Sequence, residues 1–231
     1  MYIFMRQEFQ VLIIRFNNRI AIKDIPLFRG AIIHAMTNVG ILFHNHIDDK
    51  FRYSYPLIQY KRINQCAAIV CVNDGAKSIG DFFASCNFNI LLGQRKMILE
   101  VASMKANHFS VEIDDDMMYY YHICRWLPLN QENYIKYKKL DSLSDKYSML
   151  EQLLTANILS FAKGINRFFD KQVICKITQM DEPISTRFKN IIMMGVDLEF
   201  KSNVSIPDFL GLGKGVSLGY GVVTKKEDIY N

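Results

Sequence analysis

Segments with the composition of strands and helices run through this 231-residue chain twice in the same order. That duplication limits the possible folds more than any single motif does. The first apolar run, FQVLIIRF (Phe9–Phe16), is rich in β-branched residues and predicts a buried strand. Pro26 suits a first helical turn, and LFRGAIIHAM continues from it as a helix with one packed face. FRYSYPLIQYKRI (Phe51–Ile63) and CAAIVCV (Cys66–Val72) read as strands, with Pro56 marking an edge or a bulge. KSIGDFFASC predicts a short helix, and MILEVASMKANHFSVEI predicts one extended segment. The order is β-α-β-β-α-β.

The acidic run Asp114–Asp116 breaks the pattern, which then repeats in outline. YYYHICRWL, QVICKIT, NIIMMGVDLEF and GYGVVTKK predict strands. Leu150, Leu153, Leu154, Ile158, Phe161, Ile165 and Phe168 are spaced by three and four and mark an amphipathic helix. SIPDFLGL predicts a second, short helix. An α+β fold of two tandem ferredoxin-like (RRM-like) βαββαβ units accounts for this pattern, with domains at 1–115 and 116–231.

Half the residues are hydrophobic and 22% are charged, which is an ordinary balance for a chain with a packed core. The net charge of +5 is spread along the chain and is compatible with a polyanionic partner. The five cysteines are odd in number and show no CxxC or Cys/His spacing, so a disulfide framework and a zinc site are not expected. No cofactor and no metal is expected. The opening segment is broken by Arg6, Glu8 and Arg15 and does not resemble a signal peptide, so a cytoplasmic location without membrane contact is expected.

Five of the twelve glycines fall between Gly211 and Gly221, in GLGKGVSLGYG. Glycine loses more backbone entropy on folding than any other residue, so such a cluster needs a compensating gain. The stretch fails the dinucleotide fingerprint because it lacks the third glycine. It fails the phosphate-binding P-loop because Asp208 and Gly215 stand where Gly and Ser or Thr belong. Two readings remain. Alternating glycines let successive N–H groups converge on an anion, helped by Lys214 and Ser217; alternatively, the stretch is a mobile hairpin tip. The first reading predicts that Gly213→Val or Gly219→Val weakens anion binding and leaves the fold intact.

The pattern G-x-G-x-x-x-S-L-G-x-G followed by Val222 and Val223 resembles the C-terminal glycine-rich loop of the CRISPR-associated repeat-RNA-processing endoribonucleases, of the repeat-associated mysterious protein superfamily. FRGAIIHAM and FRYSYPLIQYK resemble that family's first helix and the strand after its active-site region. The resemblance implies metal-independent cleavage of CRISPR repeat RNA by attack of a 2′-hydroxyl, leaving a 2′,3′-cyclic phosphate. In the family a histidine and then a lysine follow the first helix, and His44 and Lys50 match that spacing. His44 is the implied acid or base, with His46 as a rival, and Lys50 is the implied electrostatic stabiliser. Where many members carry a tyrosine in the first helix, this chain has Ile33, and the neighbouring His34 is the candidate second acid–base group.

Gly211, Gly213, Lys214, Gly215, Ser217, Gly219 and Gly221 are the implied RNA contacts of the loop. Lys61 and Arg62 close the strand after the site and add cations. YIKYKK (Tyr134–Lys139) interleaves aromatics with cations but suits an ordinary solvated face equally well. The expected partners are CRISPR repeat RNA and an interference complex, for a protein acting as monomer or homodimer. An alternative is a relative that binds RNA within such a complex without cutting it. Another is a protein–protein module with an incidental glycine hairpin.

Overall fold

The first apolar run forms β1 (Glu8–Arg19), the spine of a four-stranded antiparallel sheet. The computed structural model describes residues 8–35, 46–47, 50–51, 55–85 and 88–226. It divides into two units: Met1–Ser110 with Ser217–Gly219, and Val111–Val216 with Tyr220–Asn231.

In the first unit β1 leads into α1 (Ile25–Ala35), a two-stranded ribbon of β2 (His46–Ile47) and β3 (Lys50–Phe51), then β4 (Ile58–Ile63) and β5 (Cys66–Val72). Next come α2 (Asp74–Ser85), a hairpin of β6 (Asn89–Leu92) and β7 (Arg95–Ile98), and finally β8 (Val101–Ser110). The sheet order is β4-β5-β1-β8, the ferredoxin-like order. β4 and β5 are joined by Asn64 and Gln65, both at positive φ (49° and 67°), as a two-residue turn matching strand twist requires. Ile25, Phe28 and Ile32 on one stripe of α1 are buried against Ile14, Phe16 and Tyr60. The Phe28 ring meets Phe16 and Tyr60 edge-on, each at 5.9 Å. Each such side chain contributes roughly 1.5–3 kcal/mol by leaving water.

The second unit repeats the sheet. β9 (Tyr119–Trp126), β10 (Cys175–Met180), β12 (Ile191–Ser202) and β13 (Val222–Lys225) take the order β10-β12-β9-β13, and β11 (Ile184–Phe188) pairs with the start of β12. Between β9 and β10 lie α3 (Gln131–Lys138) and α4 (Leu143–Gly164). α4 starts where the Ser142 hydroxyl accepts from the N–H of Asp145, and it buries Leu150, Leu154, Ile158 and Phe161.

Three sequence expectations change. The helix read through Phe168 ends at Gly164, because Asn166 adopts φ 59° and Arg167 N–H donates to Ala162 O, closing the last turn. Phe168 is consequently 73% exposed. The single extended segment expected over 97–113 is split, since Leu99 N–H turns back to Phe88 O and β7 pairs with β6. SIPDFLGL is not a helix. Leu210 and Phe209 bond to Val223 instead, leaving one 3-10 turn, Val216–Leu218, between β12 and β13. Among the described residues no helix is long and apolar enough to cross a membrane.

The buried Tyr121 hydroxyl donates to Val204 O (3.0 Å) and accepts from Ile206 N–H (2.8 Å), tying β9 to the chain leaving β12. Tyr121→Phe leaves both backbone groups buried and unpaired. It is expected to lower unfolding free energy by about 2 kcal/mol or more in urea melts, with the m-value unchanged.

Candidate nucleic-acid interface and active site

The glycine stretch is a folded loop with a closed base. Gly211 bridges Val222, Leu212 N–H donates to Gly221 O (2.8 Å), and Lys225 N–H donates to Asp208 Oδ1 (2.6 Å). Leu210, Leu212 and Val216 are buried within it. This is not a mobile tip.

Gly213, Gly215, Gly219 and Gly221 all lie at φ between 61° and 85°, the left-handed region. At Gly221 a Cβ would lie 1.9 Å from Leu212 O; at Gly213 it would lie 2.7 Å from Asn157 Oδ1 and 2.8 Å from Trp126 Nε1. At Gly219, which belongs to the first unit, it would meet Ile25 Cδ1 at 2.7 Å. These glycines are demanded by the protein's own packing. The expectation that valine at Gly213 or Gly219 leaves the fold intact is therefore corrected. Lys214 remains exposed, its ammonium 5.8 Å from the Phe188 ring centre, and Ser217 is half-buried.

The residues that shape this loop were missed in the sequence. β9 carries a bulge: Val196 faces Trp126 and Leu198 faces Ile123, so Cys124 and Arg125 together oppose Asp197. Arg125 sits at φ 53°, its N–H donates to Asp197 Oδ1 (2.6 Å), and its carbonyl accepts from Gly221 N–H (3.1 Å). Its guanidinium lies 4.1 Å from the Tyr220 ring centre. No local sequence signal marks the bulge, because it depends on the register of two strands about 70 residues apart.

Of the catalytic candidates, His34 occupies the last turn of α1 and is exposed, whereas Ile33 beside it packs against the first-unit core. A histidine among apolar neighbours is more often buried; here the helix phase turns it outward. Lys50 lies in β3 opposite Ile47, on the same ribbon as His46, which pairs with Phe51. His44 lies outside the described residues. Lys61 is fully buried, and burial lowers its pKa to about 7. Arg62 is half-buried and its Nε donates to Ile20 O (2.8 Å). The Lys61 side chain thus has no exposed surface, and the Arg62 Nε is committed to the backbone.

Cys66, Cys71, Cys124 and Cys175 are free thiols. His122, Cys124 and Asp197 gather on β9 and β12 with possible ligand atoms within 4.8 Å of one another. Burial and the Asp197 carboxylate push the Cys124 thiol up to about 11, and Asp197 Oδ1 accepts from the Arg125 N–H at the bulge.

The chain matches the profile of the Cas6b N-terminal domain over residues 7–110 and that of the Cas6b C-terminal domain over residues 112–226. A crystal structure of Cas6b superposes with a TM-score of 0.87 at 27% identity, covering 95% of this chain and all of that one. A second, of the CRISPR RNA processing endoribonuclease Cas6b, has a TM-score of 0.73 at 24% identity, covering 95% of this chain and all of that one, and shares the fold. An uncharacterised protein of Methanocaldococcus jannaschii is 32% identical over 127 residues, 55% of this chain and 84% of its own.

Gly221→Ala is expected to lower stability by about 2 kcal/mol or more, whereas Lys214→Ala stays within about 0.5 kcal/mol, both read from thermal melts. Lys61 is held below its ordinary pKa of 10.5, so the unfolded chain binds the extra proton between about 7 and 10.5. Stability therefore rises with pH across that window, and Lys61→Met is expected to remove this rise in urea titrations at pH 7 and pH 10.

Proposed function

The chain belongs to the Cas6b family, and from that membership we propose that it is an endoribonuclease that cuts CRISPR repeat RNA in the precursor transcript. The observation that carries this reading is the match of both family domains across nearly the whole chain. The cut needs no metal. The 2′-hydroxyl 5′ of the scissile bond loses its proton to a base while its oxygen attacks the adjacent phosphorus. The bond from phosphorus to the 5′ oxygen breaks, and an acid delivers a proton to that oxygen. The products are a 2′,3′-cyclic phosphate and a 5′-hydroxyl.

His44 and His34 supply the base and the acid, since an imidazole can both take up and give up a proton. Lys50 stabilises the charge on the crowded phosphorane. The exposed position of His34 supports its part in this scheme. The glycine loop supports RNA binding through Lys214 and Ser217 on a backbone that is already folded, so little ordering remains to be done on binding. The partners are the repeat RNA and a CRISPR interference complex.

The test is cleavage of labelled repeat RNA in excess EDTA, with the product ends mapped. One cut site with a cyclic phosphate end is expected. His44→Ala is expected to slow the chemical step by about 10²–10⁴-fold and Lys50→Ala by about 10²–10³-fold. Tight binding without any cut points instead to a non-cleaving relative. Full activity of His44→Ala moves the role to His46.

A further inference from the structure

In the second unit α3, the first turn of α4, the β11–β12 hairpin and Lys214 surround a concavity of about 1100 Å³. Its charged lining consists of Lys138, Lys146 and Lys214, with no carboxylate side chain among the residues that form it. Among the described residues none of these three lysines forms an ion pair. Instead, Lys138 Nζ lies 5.5 Å from the Tyr134 ring centre, and Lys146 Nζ lies 5.8 Å from that of Tyr137. The hairpin side is apolar and open: Ile184, Ile191 and Ile192 are 60%, 61% and 69% exposed.

α3 sharpens the question. It is eight residues long and buries none of them, although short helices in water ordinarily depend on a packed face. Its visible support is the Asn130 cap and the Lys136–Glu132 pair on its outer side. Tyr134 and Tyr137 are its only aromatic residues, and both line the concavity. A ligand seated there would give this helix the packed face it lacks.

We propose that this concavity binds a short unpaired segment of the RNA substrate, through side chains other than those proposed for the cut. The reading rests on the proposed function above, which supplies the RNA. An unpaired strand alternates flat apolar bases with phosphates, and the concavity offers tyrosine rings and isoleucines for the first and carboxylate-free lysines for the second. A duplex hides its base faces, so the tyrosines and isoleucines would go unused. None of His34, His44 and Lys50 is among the residues that line the concavity, so the side chains proposed here for binding are separate from those proposed for the cut.

The test uses full-length protein, a fluorescent oligouridylate of about twelve nucleotides and, separately, repeat RNA. The variants are Tyr134→Ala/Tyr137→Ala and Lys138→Gln/Lys146→Gln, all at positions outside the core, with unchanged melting confirming the fold. The tyrosine pair is expected to weaken oligouridylate binding roughly tenfold to a hundredfold. The lysine pair is expected to reduce the slope of log K against log salt by about 1.4. Folded variants that bind oligouridylate with unchanged affinity and slope, while wild type still cuts repeat RNA, overturn the site and leave the nuclease reading standing. Binding of a polyglutamate peptide that the variants lose, with oligouridylate unaffected, also overturns it and assigns the surface to an acidic protein. Wild type that binds neither RNA at low salt overturns the nuclease reading itself.

Discussion

The hydrogen bond from the Arg125 N–H to Asp197 Oδ1 holds the bulge on which the C-terminal loop is built. A bulge leaves one residue of the strand without a regular partner, and here that residue is also in the left-handed region, where a side chain costs energy. The carboxylate satisfies the stranded amide. The displaced carbonyl then receives Gly221, and the guanidinium covers Tyr220. Trp126, next in the chain, is completely buried and donates to Asn157 on α4 at 2.9 Å, and this pair forms the wall that forbids a side chain at Gly213. One two-against-one mismatch between strands thus propagates through three elements to the glycine loop.

A loop fixed in this way differs from a flexible phosphate-wrapping strap. Its glycines are there because the backbone must turn in the left-handed sense and pass within contact distance of other chain segments. What it presents outward is a lysine and a half-buried serine on a frame that does not need to be ordered again when a ligand arrives. The ferredoxin-like unit ordinarily has a helix between its third and fourth strands; here the segment between β12 and β13 has become this loop. Losing that helix removes a packed stripe, and the buried Leu210, Leu212 and Val216 take its place in the core.

The candidate site residues were legible to different degrees. The glycine spacing and the pair His44 and Lys50 stand out in the sequence because they carry a family resemblance in linear order. His34 was visible as a residue type, but its outward orientation follows from the helix phase that buries Phe28 and Ile32. Lys61 illustrates the opposite case. Beside Arg62 it looks like a surface cation, yet β4 is buried along almost its whole length and takes the lysine inside with it. YIKYKK looks like any solvated face until its tyrosines are seen to line a concavity with residues 50 to 80 positions further on.

Alternation of period two and spacings of three and four residues are local, so the sequence alone determined the strands that make up the two sheets, the duplication of the unit in outline and the buried stripe of α4. Side-chain periodicity cannot report which strand residue lies opposite which, because register is a relation between segments far apart in the chain. Only the tertiary structure decided the bulge at Arg125, the substitution of a loop for the last helix, the burial of Lys61 and the gathering of tyrosines and lysines around one concavity. Each of those depends on what a distant segment brings alongside.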